Sequence, residues 1–461
     1  MLDDEGYTCA CPHGLVDVDQ TGTACEKVGF IAAGVNHTCV LTESARTLHC
    51  WGSNRYGQFG LGLTGTTAYY PNENTQTYRT PLRLSTIDGV TTDARGWTQL
   101  VVGENVTCGT LPNNQGAESL YCWGDNTLGQ TGVGTIALGY NNAQPPVPTT
   151  ATVTPSFHAT PQLLDATRTW VSLASSYATT CGVDTSGALY CWGFNRYGQA
   201  GNGSIGNPQI SDGAYAFVPI MYAHATPVAP PAGQTWVSVT PGNTTTCART
   251  NMNNVYCWGR RNLGQAGVGT TVAGTGDLLV PSKVDKPDPQ GFTSVWNDIT
   301  HSCALVGNAA YCWGQGTSGG IGNGANSNRS SPTLVSGSTG FSSLSLGSNF
   351  GCGLVAVPAT SPQAYTAHCW GNNPRNILLT GAASANVPTP VNTSRQWELL
   401  DLGPSHACGV DHSDDKLYCW GDNGLEGGVG QGKIGSVPAQ QTGNIGLLGP
   451  VRAAQAIHFA Q

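Results

Sequence analysis

Charged side chains are scarce in this chain. Only 10% of its 461 residues are Asp, Glu, Lys or Arg, against about 25% in ordinary soluble domains. The 19 basic residues are outnumbered by 27 acidic ones, which gives a formal charge of −8, and no cluster of Lys or Arg is long enough to follow a phosphate backbone. We therefore expect no nucleic-acid partner.

Long apolar segments are absent as well. No window approaches 18 consecutive apolar residues, and Met1 leads into Leu2-Asp3-Asp4-Glu5 rather than into a basic and then an apolar stretch. We expect neither a membrane span nor a signal peptide in this chain. The 63 Gly and 27 Pro stay below the roughly 25–30% that marks low-complexity disorder, so the chain is expected to fold.

Cysteine is abundant by contrast, with 17 residues. So many cysteines are hard to explain in a reducing cytosol, where disulfides do not persist, unless they bind metal. We therefore expect an oxidising, extracellular compartment, with any targeting segment outside this chain.

Most of the cysteines belong to an internal repeat, because the tripeptide Cys-Trp-Gly occurs seven times at unequal intervals. An aromatic-led apolar strand, a polar turn and a second strand that begins near a Cys precede each copy, as in WVSVTPGNTTTC from Trp236. The seven Cys-Trp-Gly tryptophans are Trp51, Trp123, Trp192, Trp258, Trp313, Trp370 and Trp420. The aromatic-led strands open at Phe30, Trp97, Trp170, Trp236, Phe292, Phe341 and Trp397.

A Pro-led apolar segment stands ahead of most units, as in TPLRL from Thr80, and suits an edge strand where a missing N–H costs least. Each unit thus supplies about four short strands, the content of one propeller blade. The predicted fold is all-β, a seven-bladed β-propeller over residues 28–461. The first unit has no Pro-led segment ahead of it and the chain ends with one, so residues 449–461 are predicted to complete the first blade.

Two cysteines fall on consecutive strands of every unit. Opposed residues of antiparallel strands lie at about the Cα separation that a disulfide needs. Metal binding is the rival, but two thiolates per unit with no further ligand at a repeating position fall short of a tetrahedral site. The predicted disulfides are Cys39–Cys50, Cys108–Cys122, Cys181–Cys191, Cys247–Cys257, Cys303–Cys312, Cys352–Cys369 and Cys408–Cys419.

Residues 1–27 hold the remaining cysteines. The stretch EGYTCACPHGLVDVDQTGTACEKV from Glu5 resembles the C-terminal half of an epidermal growth factor (EGF) module. That resemblance implies that Cys11 pairs with Cys25 and that Cys9 pairs with a cysteine outside this chain. Either the numbering begins inside a longer protein, or Cys9 is free or bonds another chain. Calcium-binding modules of this kind carry their acidic ligands ahead of the first cysteine, a region that this half-module does not include, so the sequence gives no argument for or against calcium.

The repeat is similar to that of the regulator-of-chromosome-condensation family of seven-bladed propellers. The likeness rests on Gly-x-x-His-Thr from Gly34 and on WGSNRYGQFG from Trp51, and the added Cys is more similar to the extracellular crinkly-type ectodomains of plant receptor kinases. The Trp313 unit lacks the motif's Asn and the Trp370 unit loses its Gly-Gln step, so altered turns are expected there. Nucleotide exchange and ultraviolet-B reception, known in this family, are not carried over, because a shared fold does not imply a shared function.

Several repeated side chains have simple structural interpretations. His37, His301 and His406 each stand two residues before a blade cysteine and could suggest a ring of metal ligands, but the other units have no His there. We interpret them as turn or core residues. Four asparagines at a fixed offset after Trp-Gly are predicted to close turns through Asx hydrogen bonds. They are Asn54, Asn126, Asn195 and Asn423.

No Ser-His-Asp, H-E-x-x-H or P-loop pattern occurs. We therefore predict no enzyme activity, no cofactor and no metal. A composite site on the propeller face would escape a linear reading of the sequence.

Glycosylation signals and long inserts are the remaining features. Asn-x-Ser/Thr sequons mark surface loops of secreted chains, and three of them occupy nearly the same turn of different units. Inserts at 61–80, 133–160 and 202–226 all follow Gly-Gln-x-Gly and should leave one side of the ring, where aromatic side chains could contact a partner. The sequons are Asn36, Asn105, Asn202, Asn243, Asn328 and Asn392. The candidate contact residues are Tyr69, Tyr70, Tyr78, Tyr215, Phe217 and Tyr222.

The favoured function is an extracellular, N-glycosylated interaction or structural module of a larger cell-surface, matrix or filament glycoprotein. Its partners would be other protein chains or copies of itself. The alternatives are a lectin-like or receptor ectodomain that binds a ligand and, less favoured, a secreted carbohydrate-active enzyme that uses the central channel. Inserts that serve only as disordered or glycan-covered padding would oppose a contact role.

Overall fold

The computed structural model describes most of the repeat region and little of what precedes and follows it. The described residues are 16–17, 25–62, 77–87, 90–91, 96–113, 118–133, 157–205, 221–269, 276–285, 287, 289–358, 360, 363–373, 377–379, 382–391, 395–421 and 451–452.

Within these residues the chain forms antiparallel groups of four strands, which we call sheets 1 to 7 in chain order. In each sheet the strands that follow one another in the chain are also neighbours, and we call them the first to the fourth strand. Sheet 1 contains Val28–Ala33, His37–Thr42, Leu48–Ser53 and Thr77–Leu84. Sheet 2 contains Gln99–Val102, Val106–Pro112, Glu118–Asp125 and Phe157–Asp165. Sheet 3 contains Trp170–Ser176, Thr179–Asp184, Leu189–Phe194 and Met221–Val228. Sheet 4 contains Trp236–Pro241, Thr245–Thr250, Val255–Gly259 and Leu278–Lys283.

The remaining groups follow the same order. Sheet 5 contains Ser294–Asn297, His301–Val306, Ala309–Gly314 and Arg329–Thr339. Sheet 6 contains Phe341–Gly347, Phe350–Ala356, Tyr365–Asn372 and Ser384–Val391. Sheet 7 contains Trp397–Leu402, His406–Asp411, Leu417–Gly421 and Val451–Arg452. A single bridge from Tyr365 to Trp397 joins sheets 6 and 7.

Short elements complete the described part of the chain. Val16–Asp17 pairs with Cys25–Glu26, and Thr86–Ile87 pairs with Val90–Thr91. Thr317–Gly319 forms one 3₁₀ turn. Nowhere in these ranges is there a helix with the length and hydropathy needed to cross a bilayer. The all-β prediction is confirmed.

Sheet 4 illustrates why the repeat folds as it does. The Cys-Trp-Gly step is a bulge, because the pairing of the third and fourth strands shifts between Cys257 and Gly259, and Gly259 has a φ of 97°. A side chain rarely adopts that conformation, which explains the Gly. Pro281 lies in the fourth strand, at the edge of the sheet, where the missing N–H breaks no ladder bond.

The sheets close into a ring through apolar clusters between neighbours. Cys181, Cys191 and Val228 of sheet 3, for example, pack against Trp236 and Trp258 of sheet 4. Equivalent clusters join the other neighbouring sheets of the described chain. A last cluster packs sheet 7 against sheet 1, so the ring closes through side-chain packing.

The prediction that residues 449–461 complete the first blade is wrong for the part the structure describes. Val451–Arg452 pairs with the third strand of sheet 7, and sheet 1 already has a fourth strand, Thr77–Leu84. The reason lies in the role of the Pro-led segment, which ends a sheet instead of opening the next one. The first unit therefore lacks nothing, and the last unit takes its outer strand from its own C-terminal side.

Candidate interaction face and central channel

All seven predicted blade disulfides are formed. Each joins directly opposed residues of the second and third strands, with Cα atoms 4.0–4.1 Å apart. Every one of these cysteines is buried. Each bridge therefore lies inside the apolar cluster that its sheet shares with the next one, and it supports the packing between sheets as well as the hairpin.

The Trp-Gly and Gly-Gln-x-Gly motifs are two halves of one contact between neighbouring sheets. The indole Nε1–H of Trp258 donates to the main-chain carbonyl of Gln199 at 2.7 Å, and the side-chain Oε1 of Gln199 accepts from the N–H of Tyr197 at 2.8 Å. The same indole-to-carbonyl bond recurs from Trp123 to Gln58 and from Trp192 to Gln130. The predicted blade-core role of the seven tryptophans is confirmed, because all are buried.

The asparagine that follows Trp-Gly closes this turn, as predicted. The Oδ1 atoms of Asn54, Asn126 and Asn195 accept from backbone N–H groups five residues further on, at 2.8–3.2 Å. Asn423 lies outside the described residues. In sheet 6, Asn373 makes the equivalent bond at 2.7 Å.

The two departing units have altered turns, yet both keep the contact with the next sheet. In sheet 5 the turn is 3₁₀ and contains Ser318 with a φ of 56°, and Trp370 donates to the carbonyl of Gly320 at 3.2 Å. In sheet 6 the carbonyl of Ile377 accepts from Trp420 at 2.7 Å. A backbone acceptor supports the contact, so the Gln side chain is not needed for it.

The three repeated histidines are core residues. His37 Nε2 lies 2.8 Å from Thr107 Oγ1, and His406 Nε2 lies 2.8 Å from Thr38 Oγ1, so each joins neighbouring sheets. Burial lowers the pKa of His37 to about 3 and that of His301 to about 4. In the ranges that the structure covers, no cluster of three or more His, Cys, Asp or Glu side chains could hold a metal ion.

Strand alternation defines two faces of the ring. Because each sheet is antiparallel, the turn from first to second strand and the connection from third to fourth strand emerge at the same edge. All the long inserts are third-to-fourth connections. They therefore share one face, called the insert face, with turns such as 34–36, 103–105 and 298–300.

The sequons in these turns share the insert face as predicted. Asn36 Nδ2 donates to Asn105 Oδ1 at 3.0 Å, and Gln58 Nε2 donates to the same oxygen at 3.2 Å. Asn243 occupies the corresponding turn of sheet 4. Asn328 is exposed just before the fourth strand of sheet 5. The glycosylation of these residues stays a prediction.

The candidate contact residues are only partly covered by the structure. Tyr78 and Tyr222 belong to the fourth strands of sheets 1 and 3, so they are not part of the inserts proper. Tyr69, Tyr70, Tyr215 and Phe217 lie outside the described residues, as do Asn392, Cys9 and Cys11. Cys25 lies in a short strand. The pairing of Cys11 with Cys25 and the EGF-like character of residues 1–27 stay predictions.

The first strands surround a central channel of about 490 Å³. Its wall is mostly aliphatic, with residues such as Ile31, Leu173 and Leu346, and it includes the carboxyl groups of Asp298 and Asp401. Neither Lys, Arg nor His lines this channel in the described part of the chain.

The two carboxyl groups have different surroundings. Asp401 Oδ2 accepts from the N–H of Ala33 at 2.8 Å and its Oδ1 accepts from Ser345 Oγ at 2.9 Å, so this side chain ties sheet 7 to sheets 1 and 6. Asp298 is 7% exposed, and its Oδ2 has no hydrogen-bond partner among the described atoms. Burial raises the pKa of Asp401 to about 6 and that of Asp298 to about 7.

Asp298 lies in the first-to-second turn of sheet 5, at the insert-face mouth of the channel. Its N–H donates to the carbonyl of His301 at 3.1 Å, the bond that Gly34, Gly103 and Gly242 make in their own turns. Burial, the Asp298 carboxylate and the Glu104 carboxylate raise the pKa of the Tyr177 hydroxyl. Sequence reasoning missed Asp298, although its substitution for the usual turn Gly could have indicated it.

Comparisons with known proteins agree with this geometry. Residues 30–58 and 170–199 match one family model described as the regulator of chromosome condensation (RCC1) repeat, and residues 186–249 match a second model of the same description. In these stretches the chain is similar to RCC1 repeats. The similarity predicted from the motifs is thus supported for these stretches.

Among curated proteins, the chain is 25% identical to the ultraviolet-B receptor UVR8 of Arabidopsis thaliana over 311 residues, which cover 67% of this chain and 58% of the receptor. The chain thus spans less than two thirds of that relative's own length.

Two solved structures show the same fold. Human WBSCR16 superposes with a TM-score of 0.63 at 16% identity, covering 84% of this chain and 86% of that one. Prp20p from Saccharomyces cerevisiae superposes with a TM-score of 0.60 at 18% identity, covering 89% and 91%. The β-propeller fold predicted from the repeat is therefore confirmed, and identities this low speak for the fold alone.

Proposed function

We propose that the chain is an extracellular, N-glycosylated, seven-bladed propeller that acts as a protein-interaction or structural module of a larger glycoprotein. The observation that carries the proposal is the gathering of every long third-to-fourth connection on one face. The predicted aromatic residues Tyr69, Tyr70, Tyr215 and Phe217 belong to these connections. Short connections between the third and fourth strands would be enough to form the fold. The extra length of these connections therefore favours a role other than folding, such as contact with a partner.

The disulfides support the extracellular part of the proposal. Seven bonded pairs are maintained in oxidising compartments and are rare in the cytosol. The alternative of a ligand-binding ectodomain rests on the acidic central channel, which opens on the same face. No catalytic role is part of either proposal.

The test compares two variants of the chain in its native extracellular complexes. Replacing Tyr69, Tyr70, Tyr215 and Phe217 by Ser removes aromatic contacts from the insert face. Met252→Ser is the control, because Met252 is 56% exposed in a second-to-third turn, on the opposite face. We expect the insert variant to sediment as a free chain with an unchanged melting temperature, while Met252→Ser stays in the complex.

If the insert variant remains assembled, the contact role of these residues is wrong. If the wild-type chain already sediments alone, the ligand-binding ectodomain becomes the better interpretation. A lowered melting temperature of the insert variant would instead assign these side chains to stability.

A further inference from the structure

We propose that the central channel binds a primary alkylammonium group through the Asp298 carboxylate. The inference begins with the unpartnered Oδ2 of a carboxyl group that is nine-tenths buried in the channel wall. A buried carboxylate without a partner is costly, so the group either keeps a proton or gains a cation that compensates for its charge. In the other first-to-second turns the same position holds Gly or Ser, so the fold itself does not require a carboxylate there.

The surroundings of Asp298 select the charge of the ligand. Tyr177, in the first-to-second turn of sheet 3, lies close enough for the Asp298 carboxylate to raise the pKa of its hydroxyl, and the Asp401 carboxyl group lies further along the wall. Among the described residues, the lining holds two carboxyl groups and no basic side chain. An ionised Asp298 would repel an anionic ligand, whereas a cation would supply its missing partner.

The shape and polarity of the channel select the kind of cation. A hard metal ion needs several oxygen ligands, and no group of three acidic or histidine side chains converges in the described chain. A guanidinium prefers two acceptor oxygens in one plane, whereas only Oδ2 of Asp298 is unpartnered. An ammonium is a compact point charge, and an alkyl stem would lie along Ile31, Leu173 and Leu346.

Two sources offer this chemistry, a lysine side chain of a partner protein and a free polyamine. Because Asp298 lies at the insert-face mouth, a lysine of a bound partner could reach it, and that source rests on the proposed contact function. The polyamine source does not depend on that function.

The experiment titrates the purified chain with Nα-acetyl-lysine methylamide, its uncharged norleucine analogue, and spermidine, by calorimetry at pH 8. We expect saturable one-to-one binding of the charged probes and none of norleucine. Asp298→Asn should weaken binding by more than about thirtyfold, because it removes the charge of a buried pair. Asp285→Asn is the matched control, since Asp285 is exposed outside the channel, and it should bind as the wild type does.

The arms separate the outcomes. Binding of spermidine alone assigns the site to free polyamines, and binding of the lysine probe assigns it to a side chain. Equal binding of the lysine and norleucine probes, no binding of either charged probe, or unchanged affinity in Asp298→Asn overturns the proposal. Asp298→Gly, which restores the usual turn residue, provides a second variant should Asn impair folding. If the Asp298→Asn variant no longer binds the charged probes but still associates with the native complex, the channel binds an amine, and that amine is not a lysine of the partner.

Discussion

Single glycines decide how closely neighbouring sheets approach. Gly201 ends a Gly-Gln-x-Gly turn with a φ of 68°, and a Cβ there would lie 2.5 Å from Trp258 Nε1 of the next sheet. Gly233 has a similar φ of 71°, but a Cβ there would meet nothing within 4 Å. The two positions share backbone strain and differ only in the collision.

This pair gives a matched prediction for the free energy of unfolding. Gly233→Ala should cost about 1–2 kcal/mol, because an L-residue is strained at positive φ. Gly201→Ala should cost a further 1–3 kcal/mol or so, because the added methyl also displaces Trp258. Denaturant unfolding of both variants measures the difference, and equal losses would show that the indole contact does not limit this turn.

The buried carboxyl of Asp298 predicts a pH dependence of stability. Its pKa rises from the usual 3.8 to about 7, since burial disfavours the charged form. The folded state therefore holds this proton more tightly than the unfolded chain, so the associated stabilisation is complete below about pH 4 and is lost as pH rises through about 7. Asp298→Asn should abolish this loss, which is on the order of 4 kcal/mol for a shift of this size.

Urea unfolding at pH 4 and pH 8 tests this predicted pH dependence of stability. The stability of the wild type relative to Asp298→Asn should fall between these pH values, while Asp285→Asn follows the wild type. The Asp401 carboxyl, whose pKa is also raised, retains part of the slope in all three proteins. A constant difference between wild type and Asp298→Asn would show that Asp298 is ionised throughout.

At the scale of strands, the sequence predicts the content of a unit better than its boundaries. The aromatic-led strand, the cysteine pair and the Asx turn each carry a local signal, and all appear where expected. A repeat defines the length of a unit but not the residue at which one unit ends and the next begins. The Pro-led strand could therefore be assigned to either of two neighbouring units. The pairing of Thr77–Leu84 with Leu48–Ser53 assigns this strand to the unit that precedes it. No local signal in the sequence indicates which strands pair.

The hairpin disulfides predict how the sheets respond to reductant. Each bridge closes a loop of 9–17 residues, which stabilises by roughly 3 kcal/mol in the chain-entropy model. Because the sulfur atoms are buried, dithiothreitol should leave the native protein oxidised and reduce it only together with denaturant. After that reduction the fold should not re-form.

Non-reducing peptide mapping supplies the measurement. It should recover the seven blade bridges and, from the EGF resemblance, Cys11–Cys25. A free thiol on any blade cysteine of the native protein would contradict the assignment. Rapid reduction without denaturant would show that the sheets open far more readily than their packing indicates.

In the described part of the chain, the two ends of the ring meet without sharing a strand. Sheet 7 meets sheet 1 through the apolar cluster around Val28 and Trp51, through the bond from Thr38 to His406, and through the ion pair of Lys27 with Glu398 at 2.5 Å. Side-chain contacts thus join the two ends of the ring at this seam, as they join the other neighbouring sheets. The repeat shows that Asp298 replaces a turn Gly, but its place in the channel wall follows only from the ring, which brings it beside residues of other sheets.

The solubility of the whole molecule leads to the last prediction, which concerns glycans. A surface with so few charges needs another source of hydration, and the sequons supply one if they are occupied. The intact mass of the native protein should exceed the 47.8 kDa of the bare chain by the mass of several N-glycans. A measured mass equal to that of the bare chain would contradict the prediction. Asn328 should carry a glycan, because it is exposed.

Asn36 and Asn105 should not both carry a glycan in the same molecule, since a glycan on the Asn36 amide competes with its hydrogen bond to Asn105 on the crowded turns beside the channel. Site-specific mapping of these two sequons would reject that exclusion if both carried full glycans in one molecule.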